Sequence, residues 1–181
     1  MLNTDSYLPP TLSNSSQQNT TKAIVFRVLD YYFALPPEAI IKIIPCPEIT
    51  SPIRDGLGLV EWDRQTITII DLADKLQIER SSDERSVERF LILTQTTSAE
   101  LCGFLIEQSP MLIDLPWDSI RSVPSSYRQV AEFNVIEQMA ILPRSTIHFS
   151  ERKLSVIENS LDSESTKTLK IFLLGEWNKF L

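Results

Sequence analysis

The sequence predicts a mainly β protein in which two small five-stranded barrels pack together, with short helices between strands. Three observations lead there. From Ala23 onward the apolar residues fall in short β-branched runs separated by turn-forming punctuation. The second half of the chain repeats the first at two offsets. Strands this short cannot stand alone, and open edges invite aggregation, so small sheets usually close into barrels. Two barrels of roughly 60–70 residues would each be marginal alone, so they should share an apolar interface and leave a groove along the seam.

Residues 1–22 are rich in Ser, Thr, Asn and Gln, with Pro9-Pro10. Such a stretch buries too little apolar surface to offset its ordering entropy, and is expected to be a disordered tail. Ala23 to Leu29 reads as a strand, Asp30-Tyr31 as a turn, and Tyr32 to Leu35 as the returning strand of a hairpin. In Pro36-Pro37-Glu38, proline suits a first helical turn and Glu38 suits the positive end of its dipole. One or two helical turns should lead into Ile43-Ile44, and Pro45-Cys46-Pro47 should stop anything regular. A polar turn region to Gly58 precedes Leu59-Val60, with Glu61 to Gln65 as a hairpin tip and Thr66 to Ile70 as the next strand. Asp71 should cap a short helix over Leu72 to Gln77, its carboxylate accepting from the free amides of the first turn.

The charged stretch Ile78 to Arg89 reads as a connector, after which the pattern restarts. Phe90 to Thr94 is a strand, Gln95 to Glu100 a loop, and Leu101 to Ile106 the return strand. With an offset of 69, Ala34/Gly103, Leu35/Phe104, Ile43/Leu112, Ile44/Ile113 and Pro47/Pro116 align. With an offset of 104, Ile67/Ile171, Ile69/Leu173, Ile70/Leu174 and Asp71/Gly175 align. The growth of the offset places an insertion in the second half, between Arg121 and Thr168, with its most polar part around 143–167. The expected division is one barrel mainly from 23–79 and a second mainly from 90–181.

Composition then excludes much chemistry. The 181 residues carry 17 Lys+Arg against 24 Asp+Glu, a net charge of −7. Such a surface repels phosphate backbones and anionic lipid, and no basic-aromatic stripe offsets it, so nucleic acid is not an expected partner. No apolar run reaches the ~18–20 residues that cross a bilayer. Met1 to Lys22 has no basic start followed by an apolar run, so a cytoplasmic chain without a leader is expected. Cys46 and Cys102 form no C-x-x-C pair and no disulfide framework. The single histidine, His148, has no second His or nearby Cys, so no metal site and no cofactor is expected. The four glycines, Gly56, Gly58, Gly103 and Gly175, assemble neither a phosphate-binding loop nor a nucleophile elbow. A binding module rather than an enzyme follows. The runner-up is a small β-barrel ligand-binding protein or hydrolase using carboxylates such as Asp71 and Glu107 in a cleft between the barrels.

Several ordered segments resemble CheW-like domains, the chemosensory coupling proteins. Phe33-Ala34-Leu35-Pro36-Pro37-Glu38-Ala39-Ile40 is similar to the family's ALP-x-EAV turn. Gly58-Leu59-Val60, with Thr68-Ile69-Ile70-Asp71-Leu72 following in register, is similar to its GVINLRGRVLPVIDL segment. Gly103-Phe104-Leu105-Ile106-Glu107, with Met111-Leu112-Ile113 and Leu115-Pro116, is similar to GLLVDEVREVLRIP. The resemblance covers most of 23–120 in register and, more loosely, the C-terminal end. It implies two SH3-like barrels and no catalysis. It further implies an adaptor joining the regulatory domain of a CheA-type histidine kinase to the cytoplasmic tip of a methyl-accepting receptor, in arrays at the inner face of the membrane.

One departure bears on the site. Where the family has Asn-Leu-Arg-Gly, this chain has Glu61-Trp62-Asp63-Arg64, the candidate partner-binding residues. The resemblance associates the family's arginine with receptor contact; Asp63 reverses the charge there and implies a partner with a basic or apolar patch. Trp62 is either an interface anchor at an exposed tip or a side chain folded back onto the barrel. Trp117, Trp177, Met111 and Met139 are expected to pack in the core or at its rim.

Overall fold

The computed structural model describes residues 19–78, 89–128, 136–146, 168–175 and 181. Among these lie eleven strands: β1 Thr20–Val28, β2 Tyr31–Leu35, β3 Ile40–Pro45, β4 Leu57–Trp62, β5 Gln65–Ile70, β6 Phe90–Gln95, β7 Leu101–Ile106, β8 Met111–Pro116, β9 Ile120–Ser122, β10 Gln138–Pro143 and β11 Thr168–Leu173. Two one-turn helices, α1 Leu72–Lys75 and α2 Ser125–Arg128, and 3-10 turns at Pro37–Ala39, Trp117–Ser119 and Arg144–Thr146 complete the described elements. His148, Trp177, most of the N-terminal tail and the polar stretch beyond residue 146 lie outside the described residues.

The strands form two sheets, one of six in the order β8-β1-β2-β11-β10-β9 and one of five in the order β3-β6-β7-β5-β4. Both are mixed: β11 runs parallel to β2 and β5 parallel to β7, the remaining pairs being antiparallel. Three expectations need correction. The first sheet has six strands rather than five, because β8 and β9 sit at its opposite edges. The hairpin turn is Leu29-Asp30, since Val28 pairs with Tyr31, and the first strand starts at Thr20. The third correction concerns the expected division of strands between two barrels: the sheets do not divide the chain into 23–79 and 90–181. The chain crosses from the first sheet to the second between β2 and β3, and back again between β7 and β8. Each sheet therefore draws strands from both halves.

The internal repeat is borne out by register. Phe33 lies opposite Phe172 in the parallel pair of the first sheet, and Cys102 lies opposite Thr68 in that of the second, at the offsets of 69 and 104 read from the sequence. After β3 the chain swings to the far edge of its sheet, where Ile49 bridges Val60 and the Thr50 amide donates to the Leu59 carbonyl at 3.0 Å. After β8 it does the same, Ile120 pairing with Ala140.

Alternation along the strands produces three cores, because both faces of these sheets are covered. Phe33 and Leu35 face one way, into a cluster between the sheets that also holds Phe26, Phe104 and Phe172; Ala34 faces the other, into the first sheet's own interior with Val25 and Ile171. Leu91 and Leu93 fill the second sheet's interior with Val60, Ile67 and Ile69, while Ile92 joins the cluster between the sheets. A run of rings crosses that boundary, Phe104 to Phe26 at 6.1 Å, Phe26 to Phe33 at 6.0 Å and Phe33 to Phe172 at 5.8 Å between centroids. Each fully buried ring contributes roughly 1.5–3 kcal/mol as transfer energy, so the shared interface is a main source of stability.

Candidate docking site

The β4–β5 hairpin carries all four sequence-predicted site residues. Pairing ends at Trp62 opposite Gln65, leaving Asp63-Arg64 as a two-residue turn with φ of +49° and +63°. Two successive left-handed residues define a type I′ turn, whose twist matches that of the flanking strands. Neither residue is glycine, so the local conformation is held by the pairing on either side. Glu61, Asp63 and Arg64 are exposed. Ile49 bridges Val60, which brings the neighbouring Glu48 to the Glu61 end of β4.

Trp62 takes the second of its two readings in part. It is half-buried and packs against the cluster of Ile44, Val60 and Ile67. Lys42 of β3 stands over the ring, its Nζ 5.5 Å from the centroid. Lys42 was not apparent in the sequence as a neighbour of Trp62; the signal would have been the edge position of β3, which only the sheet order gives.

Exposed large apolar side chains sit elsewhere than expected. Trp117 is 52% exposed, correcting the expectation of core or rim packing, because it starts a 3-10 turn at the end of β8. Met139 is buried, while Met111 is half-buried at the edge of the first sheet's interior. Ile43 and Leu112, repeat-equivalents on the edge strands β3 and β8, are both exposed, and so is Ile41 further along β3. Ile41 is the extra residue of a bulge between Ile40 and Lys42, a device that roughens an edge strand.

Asp71 and Glu107 line one small cleft, with Arg27 and Arg89. The cleft holds about 10 Å³, room for little more than one water. Asp71 is buried, and its Oδ1 accepts from the amides of Ala73 at 3.1 Å and Asp74 at 3.4 Å, as the cap of α1. Burial pushes the Cys102 thiol above its ordinary value, opposed by a hydrogen bond with Thr94 and reinforced by the charge of Glu100; burial also raises Cys46, offset by Arg89. Among the described residues no three His, Cys, Asp or Glu side chains gather as metal ligands. No helix there is long and apolar enough to cross a membrane.

Two interlocked mixed sheets with apolar edge positions and a projecting charged hairpin define a β module suited to docking other macromolecules. The CheW-like domain model matches residues 22–147, and the chain belongs to the CheW-like domain family. Among solved structures it is similar to the scaffolding protein TtCheW from Thermoanaerobacter tengcongensis, with 15% identity over 86% of this chain and 85% of that one and a TM-score of 0.59. At that identity the likeness shows the fold. No curated protein sequence matches the chain at a significant level.

Proposed function

We propose that this protein is a non-catalytic scaffold of a chemosensory array, coupling the regulatory domain of a CheA-type histidine kinase to the cytoplasmic tip of a methyl-accepting receptor. The observation that carries it is the family match over 22–147, a span containing strands of both sheets. The fold shared with TtCheW, itself a scaffolding protein, agrees with it. In this reading each sheet closes into an SH3-like barrel, supported by the equivalent bridges Ile49–Val60 and Ile120–Ala140, and the domain runs over 23–181 in the cytoplasm. Glu61, Trp62, Asp63 and Arg64 face the receptor. The carboxylate-cleft alternative finds no support, since Asp71 is committed to its helix cap and the cleft has room for about one water.

Titration of the purified protein with the kinase regulatory domain and with the receptor's cytoplasmic hairpin, both from the same genome, tests the proposal. Binding of both is expected, with Asp63→Arg changing receptor affinity and leaving kinase affinity unaltered. Absence of binding to either up to high micromolar concentrations would overturn it.

A further inference from the structure

We infer that Lys42 is a positioning residue for the hairpin tip, acting through Trp62 to fix how Glu61 and Asp63 are presented to a partner. This rests on the docking role proposed for Glu61–Arg64 and assigns a residue from a different strand to that site.

Lys42 and Trp62 belong to the two end strands of the five-stranded sheet, β3 and β4, which no ladder joins. The backbone tie to the outer edge of β4 is made lower down, at Ile49–Val60. Above that bridge the β4 strand runs on through Glu61 and Trp62 into a turn of two left-handed, non-glycine residues. Such a turn is intrinsically disfavoured and needs its flanks held. Lys42 Nζ, at 5.5 Å from the Trp62 centroid, lies within the ~6 Å range of cation–π attraction. Trp62 also packs against the apolar cluster of Ile44, Val60 and Ile67. The ring is thereby tied both to a cation and to the core, and Glu61 and Asp63, its chain neighbours, inherit its position. Lys42 also sits at Leu93 in the β3–β6 ladder only because the bulge at Ile41 shifts the register; without that extra residue the strand would present its other face.

The test compares Lys42→Met, which keeps the apolar stem and removes the cation, with Lys42→Arg, which keeps the cation over the ring. Titration of the full chain with the receptor's cytoplasmic hairpin should show binding weakened about two- to fivefold in Lys42→Met and restored in Lys42→Arg. Amide hydrogen exchange should quicken over residues 61–66 in Lys42→Met and stay unchanged in β6 and β7. In a Trp62→Leu background, Lys42→Met should have no further effect on binding. If Lys42→Met binds as the parent does while Asp63→Arg does not, the positioning role fails and the docking site stands. If neither substitution alters binding, the docking site itself is wrong. Quickened exchange throughout the protein would make Lys42 a general stabiliser and overturn the inference.

Discussion

Ala34 and Gly103 hold equivalent places in the two sheets. Ala34 lies opposite Val25 on its antiparallel side and Leu173 on its parallel side; Gly103 lies opposite Leu93 and Ile69 in the same way. Both face the apolar interior of their own sheet, and a Cβ at Gly103 would stand 3.2 Å from Leu93 Cδ2, so the tighter interior takes the smaller residue. The duplication thus extends from strand order to the size of individual side chains, and it separates positions set by packing from those free to serve contact.

Gly56 is set by packing. Its φ is +73°, and a Cβ there would lie 2.7 Å from the backbone nitrogen of Lys75, an atom that cannot move without shifting α1. Gly56→Ala should destabilise the protein by about 2–4 kcal/mol, combining left-handed strain with overpacking. Urea unfolding measures it, and a midpoint equal to that of the parent would refute this account of the turn.

Asp71 is the only buried carboxylate among the described residues, and it works as a cap. Asp71→Ala should cost about 1–2 kcal/mol, whereas Asp71→Asn, whose amide oxygen also caps, should cost less. Equal losses in thermal denaturation would mean that the negative charge matters more than the two hydrogen bonds.

Cys102 gives the protein an alkaline limit. Burial raises its thiol above the ordinary value of 9.0, so the folded state holds the proton more tightly than the unfolded chain. The stability this confers is complete below about pH 9 and is lost as the pH rises through the folded-state value. Urea midpoints followed upward from pH 8 should decline less steeply in Cys102→Ala than in the parent. Parallel declines would assign the loss to other groups.

At the hairpin tip, stability and contact should separate. Arg64 adopts φ +63° where type I′ turns favour glycine, so Arg64→Gly should raise stability by about 0.5–1 kcal/mol. Trp62→Ala should lower it by about 1–2 kcal/mol, because the side chain is partly buried against the second sheet's interior. A destabilised Arg64→Gly would show that the arginine side chain itself holds the turn.

Much of this was legible in the sequence. The strands at Phe90, Leu101 and Thr66 announce themselves as β-branched and aromatic runs between turns, and Asp71 precedes its helix in the usual capping position. The repeat was readable because equivalent residues face equivalent neighbours. β9 and β10 were not, since Ile120–Ser122 and Gln138–Pro143 are short runs at or inside what the offsets mark as an insertion. Only the register, with Ala140 opposite Ile171 as Val60 is opposite Ile67, shows that β10 is the counterpart of β4. The exchange of strands between sheets leaves no local trace, because alternation reports which face is apolar and not which strand lies beside it. The exposure of Trp117 and the Lys42–Trp62 contact are likewise tertiary outcomes.

The exchange of strands has a consequence for assembly. β3 leaves the first half to border β6 of the second, and β8 leaves the second half to border β1 of the first. Neither half therefore completes a sheet by itself, and the two halves are expected to order together. The same interleaving means that a cleavage between α1 and β6 would leave two fragments, each supplying the missing border of the other, that stay clasped until denatured together.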